Sequence, residues 1–84
     1  MINHHLHHLA MKIVLYMNDL DCQECADKIE AHIQRYPGVK GACLMLVTRR
    51  FIIDCEDSKV DEIVEEVKKS AAKAQGNVTV SRIQ

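Results

Sequence analysis

The sequence predicts an α+β fold in which two helices cover one face of a four-stranded antiparallel sheet. Three observations support this prediction. The 84 residues suffice for one small domain. Apolar positions alternate with a period of two in some segments and recur at three- and four-residue steps in two others. The segments follow one another in the order β-α-β-β-α-β, which is the ferredoxin-like arrangement.

The first strand is predicted over Lys12 to Met17, where apolar residues alternate along the chain. A polar loop follows, and a helix is predicted to begin within the segment Cys22–Cys25. Its apolar residues share one helical face: Ala26, Ile29, Ile33 and Tyr36. Pro37-Gly38 is predicted to end this helix, because proline disfavours helical backbone in the residue before it and glycine accepts a positive φ.

Two further strands are predicted over Val39 to Thr48 and Phe51 to Cys55, joined by a two-residue turn at Arg49-Arg50. That turn would pair Leu44 with Cys55. A three-residue turn would instead place Cys43 opposite Cys55, which would also pair Leu44 with Asp54. In either case the hydrophobic alternation predicts Cys55 on the core side and Cys43 on the opposite face.

The second helix is predicted to start at Ser58, with Asp61 completing a capping box, and to end at Gly76. Its apolar stripe consists of Val60, Ile63, Val64, Val67, Ala71 and Ala74. A last strand is predicted over Asn77 to Ile83. We expect residues 1–11 to form a flexible His-rich tail and residues 12–84 to form the folded domain.

Charge and hydropathy exclude several classes of function. Lys and Arg number 11 and Asp and Glu 12, so the net charge is −1, without the basic surplus of an electrostatically driven nucleic-acid binder. The longest apolar run, Ala42 to Val47, is far shorter than the roughly 20 residues of a membrane span, which predicts no membrane insertion by this chain. A secretory signal is not apparent, so we expect a reducing, cytosolic compartment.

The residues that carry chemistry lie at the start of the first helix, in the run Asp21-Cys22-Gln23-Glu24-Cys25. A C-x-x-C pair at a helix N-terminus places two sulfurs near one point, and the helix dipole should lower the thiol pKa values there. Two thiolates alone suit Cu(I), whereas Asp21 would add a harder ligand that favours a divalent ion such as Zn(II) or Cd(II). The sequence therefore predicts a metal site formed by Asp21, Cys22 and Cys25.

Two alternatives remain open for these residues. The C-x-x-C pair is also the motif of a dithiol redox module, although no other residue here resembles that class of active site. Asp21 could act as the N-cap of the helix, with or without a role as a ligand. A closed structural zinc site is not expected, because the four cysteines do not form two C-x-x-C pairs.

The segment from Leu15 to Glu30, LYMNDLDCQECADKIE, resembles the heavy-metal-associated domain, whose pattern is Gly-Met-x-Cys-x-x-Cys-x-x-x-Ile-Glu. Here Asp19 and Leu20 replace the Gly-Met of that pattern. With an Asp directly before the first Cys, the motif is similar to that of one branch of the family. This branch forms cytosolic N-terminal domains of zinc-, cadmium- or lead-exporting P-type ATPases. The resemblance implies a non-enzymatic domain that binds Zn(II), Cd(II) or Pb(II) and regulates or feeds a transporter, or a metallochaperone. A Cu(I) chaperone-type domain is the alternative.

Cys43 and Cys55 are interpreted as structural cysteines. The sheet face away from the helices is predicted to be unusually apolar, with Val14, Tyr16, Cys43, Met45, Val47 and Ile52 pointing outward. Such patches mark contacts, so we expect a transporter domain or a second copy to dock there, unless the N-terminal tail covers it. His4, His5, His7 and His8 could collect divalent metal ions or form only a solvated tail.

Overall fold

The computed structural model describes residues 10–84 and shows the ferredoxin-like fold that the sequence predicts. The strands are β1 (Ala10–Asn18), β2 (Val39–Met45), β3 (Arg50–Glu56) and β4 (Thr79–Arg82), and the helices are α1 (Gln23–Gln34) and α2 (Val60–Ala74). A short 3-10 turn, Asp57–Lys59, precedes α2. The strands form one antiparallel sheet in the order β2-β3-β1-β4.

The core lies between the sheet and the two helices, where the predicted apolar faces meet. From α1 it buries Ala26, Ile29 and Ile33, and from α2 Val60, Ile63, Val67 and Ala71. From the central strands it buries Ile13, Leu15, Met17, Phe51, Ile53 and Cys55. The stripe of α2, the stripe of α1 as far as Ile33 and the alternation of β1 and β3 are confirmed, as expected where burial of apolar faces drives folding. Tyr36, predicted on the same helical face, lies beyond the end of α1 at Gln34 and packs against the core from there.

The hairpin between β2 and β3 differs from the prediction. β2 ends at Met45, and the four residues 46–49 form the turn, so Leu44 pairs with Phe51 and Cys43 with Ile52. Neither predicted register is correct. Arg49 closes the longer turn with φ +56, a left-handed conformation. This conformation is uncommon in residues other than glycine, so the sequence pattern does not predict it.

The ends of α2 also differ from the prediction. Ser58 lies within the 3-10 turn and not at the helix start, and the N-cap, Lys59, makes no side-chain capping bond, so the predicted capping box is wrong. The helix stops at Ala74, and Gln75 turns into extended backbone with φ −151. Gly76 lies beyond this point and has no positive φ.

Gly38 follows α1 as predicted and has φ +94, a conformation that L side chains rarely adopt. A Cβ at this position would lie 2.7 Å from Cγ of Lys59, so the chain crosses closely at this point. Pro37-Gly38 therefore turns the chain into β2 and brings it beside the start of α2.

The two cysteines outside the C-x-x-C pair lie on opposite faces of the sheet, as predicted. Cys55 is fully buried, and its burial is the largest cause of a raised thiol pKa. Cys43 is exposed, and both thiols are free. Cys55 thus serves as a small core residue.

The open face of the sheet is apolar in its centre, as expected, but not all of the predicted residues lie on it. Cys43 and Met45 are exposed there, and Tyr16 and Ile52 are half-buried. Val14 pairs with Ile52 and lies on this face as predicted, although it is almost completely buried. Val47 does not lie on the face, because it is 98% exposed in the turn after β2 and not in a strand. Docking of a partner on this face stays a prediction.

Candidate metal centre

Both cysteines of the C-x-x-C pair lie at the N-terminus of α1. Cys22 is the N-cap residue with extended backbone, and its Sγ accepts a hydrogen bond of 3.1 Å from the backbone N–H of Cys25. Cys25 lies in the first turn and packs against the core. Both side chains are half-buried. Because Cys22 is the N-cap, the alternative that Asp21 caps the helix is wrong.

The loop between β1 and α1 keeps this arrangement although it departs from the Gly-Met pattern. Asp19 stands in the position of the glycine and adopts φ +70, which aspartate tolerates better than most residues. Leu20 stands in the position of the methionine and is fully buried in the core. The loop therefore retains both a left-handed turn and an apolar anchor directly before Asp21 and Cys22.

The thiol of Cys25 donates a hydrogen bond of 3.2 Å to the carbonyl oxygen of Ala74 at the end of α2. Its pKa is raised, first by the hydrogen bond with the Cys22 side chain and then by partial burial, with a smaller opposing effect of Lys28. The prediction that the helix terminus lowers this pKa is therefore wrong for Cys25. A metal ion that binds here must displace the proton of this thiol.

The structure does not bring Asp21 together with the two sulfurs. Among residues 10–84, no three His, Cys, Asp or Glu side chains form a group that could hold a metal ion. The Asp21 side chain is exposed, and within this part of the chain neither a hydrogen bond nor an ion pair holds its carboxylate. His4, His5, His7 and His8 lie outside the described residues.

A groove of about 400 Å³ between α1 and α2 leads to Cys25. Three lysines line it: Lys28, Lys69 and Lys73. His32 is exposed and also bonds across the groove to Glu66, with 2.7 Å between Nε2 and Oε2. The groove gives Cys25 a direct opening to the surface on the helical side of the molecule.

Two residues that the sequence did not indicate hold the loop before the cysteines. Nε of Arg49 donates to the carbonyl oxygen of Leu20 at 2.7 Å. The side-chain amide of Gln75 contacts the backbone of both Asp19 and Asp21. A single polar residue 29 positions after Leu20 or 54 positions after Asp21 carries no local signal, so only the folded chain reveals these contacts.

Residues 14–74 match the family described as the heavy-metal-associated domain. The chain belongs to the heavy-metal-associated domain family. It is a domain of this family with a C-x-x-C pair, and no sequence among the curated proteins gives a significant match.

Several solved structures share the fold of this heavy-metal-associated domain at low sequence identity. The N-terminal domain of ZntA in the apo form is 20% identical with a TM-score of 0.68, covering 90% of this chain and 96% of that one. Oxidized MerP from Ralstonia metallidurans CH34 is 18% identical with a TM-score of 0.71, covering 90% and 100%. The yeast copper transporter domain CCC2A is 16% identical with a TM-score of 0.70, covering 87% and 94%.

Neither helix of this heavy-metal-associated domain is long and apolar enough to cross a bilayer, as judged over residues 10–84. Both helices are instead amphipathic and bury one face on the sheet. The site thus lies at one end of a helical layer whose outer faces remain exposed.

Proposed function

We propose that this domain binds one soft or borderline metal ion through the sulfurs of Cys22 and Cys25. The observation that supports this most directly is the N-cap geometry, because a 3.1 Å bond from the Cys25 amide holds Cys22 Sγ over the first turn that carries the second thiol. Thiolate pairs of this kind are the ligands that soft metals prefer. The half-exposed sulfurs leave room for a ligand from a partner, which transfer of the ion needs.

For the identity of the ion, we propose a divalent cation, Zn(II), Cd(II) or Pb(II), with Asp21 as the third ligand. Asp21 directly precedes Cys22, and its exposed carboxylate is without a bonding partner among residues 10–84. Its side chain can therefore turn toward an ion at the sulfurs without breaking an interaction with that part of the chain. Two thiolates already balance a divalent ion, and the added carboxylate leaves one excess negative charge with a divalent ion but two with Cu(I), so it favours the divalent ion.

Cu(I) is the second candidate, and a specific observation favours it. Within the described residues the structure groups only the two sulfurs, and Cu(I) is satisfied by few soft ligands. The solved structures with a similar fold include both a copper transporter domain and the N-terminal domain of ZntA. The choice between the ions therefore depends on Asp21.

The family match favours a metal-binding role over a dithiol redox role, because residues 14–74 match the heavy-metal-associated domain. The raised pKa of Cys25 is compatible with this role, since a metal ion displaces the thiol proton on coordination. We therefore place this domain among the non-catalytic metal-binding or regulatory domains of metal-exporting P-type ATPases, or among metallochaperones, on the cytosolic side.

The position of the site constrains how a partner would dock. The open face of the sheet lies away from the helices, whereas Cys25 opens into the groove on the helical side. A transporter domain or second copy bound to the open face would leave the thiols uncovered. Attachment and metal exchange could therefore proceed on different surfaces.

A competition titration of the fully reduced protein tests the proposal. Asp21→Ala should weaken Zn(II) binding at least tenfold and Cu(I) binding much less, because only the divalent ion uses the carboxylate. Asp54→Ala removes the same charge from an exposed position on β3 and serves as the control. Equal losses for both ions would refute the role of Asp21. Unchanged titrations in a Cys22→Ser, Cys25→Ser double variant would refute the site as a whole.

A further inference from the structure

Side chains from two distant segments hold the loop that carries the ligands. Arg49, in the turn between β2 and β3, donates from Nε to the carbonyl oxygen of Leu20 at 2.7 Å. Its own carbonyl oxygen accepts a bond of 2.7 Å from the backbone N–H of Met17 at the end of β1. Arg49 thus contacts the chain on both sides of Asp19, the residue with the left-handed φ.

Gln75, at the C-cap of α2, makes the second set of contacts. Its Oε1 accepts from the backbone N–H of Asp21 at 3.3 Å, and its Nε2 donates to the carbonyl oxygen of Asp19 at 2.9 Å. Nε2 also donates to Oδ1 of Asn77 at 2.9 Å, which fixes the amide plane. One side chain therefore pairs with two backbone groups of the loop in the way a neighbouring strand would.

Ala74, the residue before Gln75, contacts the side chain of Cys25. The carbonyl oxygen of Ala74 accepts the hydrogen bond from Cys25 Sγ at 3.2 Å. Two successive residues at the end of α2 consequently reach both the loop before Cys22 and the side chain of Cys25. The position of the two sulfurs relative to each other depends on the end of a helix about 50 residues away in the sequence.

We infer that Gln75 is a positioning residue for metal binding, assisted by Arg49. It holds the peptide groups of Asp19 and Asp21 in place before the ion binds. The side chains of Cys22 and Asp21 therefore project from an ordered backbone, and metal binding does not have to order the loop. Partners that orient metal ligands without touching the ion typically change the affinity by about 10- to 100-fold. This inference rests on the proposed function, since it concerns the same sulfurs.

The test is Gln75→Met, which keeps the length of the side chain and removes both hydrogen-bonding atoms. Its matched control is Gln34→Met, because Gln34 also binds a backbone group through its amide, with Oε1 accepting from the N–H of Ala42 at 2.9 Å, at the far end of α1. With Cd(II) as the probe, Gln75→Met should raise the apparent Kd at least tenfold and speed release to a chelator. Gln34→Met should leave both unchanged.

Two further measurements separate positioning from general destabilisation. In the metal-free protein, amide hydrogen exchange at Asp21 should accelerate in Gln75→Met, while the urea midpoint should change no more than in Gln34→Met. Arg49→Met should weaken Cd(II) binding as well. Arg50→Met is the control for the lost charge, since within residues 10–84 the side chain of Arg50 hydrogen-bonds to the carbonyl oxygen of Thr48 alone, at 3.5 Å.

The outcomes distinguish this inference from the proposed function. A Cd(II) affinity in Gln75→Met within twofold of the unmodified protein overturns the positioning role, provided that the unmodified protein binds Cd(II) through its thiols. Equal weakening by Gln34→Met also overturns it. If Cd(II) binding in the unmodified protein does not need Cys22 and Cys25, the proposed function fails and this inference fails with it.

Discussion

Leu20 connects the stability of the fold to the geometry of the proposed metal site. Its side chain is fully buried in the core, and the next two residues along the chain are Asp21 and Cys22. Its carbonyl oxygen also accepts the bond from Arg49. Replacing Leu20 with alanine should therefore lower the stability of the domain and loosen the loop that carries the ligands.

The size of the effect follows from the burial of Leu20. The change removes three carbon atoms from a site with 0% exposure, and at about 0.8 kcal/mol per buried methylene the lost transfer energy is about 2.4 kcal/mol. The cavity left behind brings the loss to about 3 kcal/mol. At about 4–8 °C per kcal/mol for domains of this size, the melting temperature should fall by about 12–24 °C.

Such a loss is large for this chain. At roughly 0.05–0.15 kcal/mol per residue, 84 residues correspond to a total stability of about 4–13 kcal/mol. Part of the loss should be recoverable with metal, because a ligand at 100 times its Kd stabilises the folded state by about 2.7 kcal/mol. Urea unfolding of the Leu20→Ala variant with and without Cd(II) measures both quantities.

Two control variants make the Leu20 experiment specific. Leu20→Met nearly conserves the side-chain volume and should cost less than about 1.5 kcal/mol. Val47→Ala changes a residue that is 98% exposed and should be close to neutral. If Leu20→Ala unfolds within about 0.5 kcal/mol of the unmodified protein, the assignment of Leu20 as the apolar anchor of the loop is wrong.

Three further predictions concern protons and backbone conformation. Because the pKa of Cys25 is raised, the apparent affinity for Cd(II) should rise about tenfold per pH unit from this one proton between about pH 6 and pH 8; a pH-independent affinity would contradict it. The 2.7 Å bond to Glu62 raises the pKa of Tyr36 to about 12, so stability should fall as the pH rises from about 10 toward 12. Phenolate absorbance should show the Tyr36 pKa falling toward its usual value in Glu62→Gln. Gly38→Ala should cost about 1–2 kcal/mol in urea unfolding, since its φ is +94, whereas Gly41→Ala, with open space around its Cβ position, should not.

Much of the fold could be predicted from local patterns. The stripe of α1 and the alternation of β3 each repeat often enough that a shift of one residue would expose apolar side chains. The turn between β2 and β3 could not be predicted in this way. Leu46 and Val47 continue the apolar run of β2, but tertiary packing ends the strand at Met45 and lets Arg49 close the turn with a positive φ.

The candidate site also combines features that the local sequence predicts with features that only the fold decides. The spacing of Cys22 and Cys25 is a local feature, and it correctly predicted that α1 starts at this pair. The direction of the Cys25 pKa shift depends on the hydrogen bond with the Cys22 side chain and on partial burial in the folded chain, which no spacing rule encodes. Cys22, and not Asp21, caps the N-terminus of α1, because the backbone of the loop places the Cys22 sulfur over the first turn.

The sequence alone determined the order of strands and helices, the faces they bury, and the two thiols at the start of α1. These features depend on periodicity and on residues within a few positions of each other, where backbone geometry fixes which side chains share a face. The tertiary structure decided the β2–β3 register, the cap of α1, and the hydrogen bonds by which Gln75 and Arg49 hold the loop before Cys22. Those features depend on contacts between residues far apart in sequence, and such contacts exist only once the core has brought the segments together.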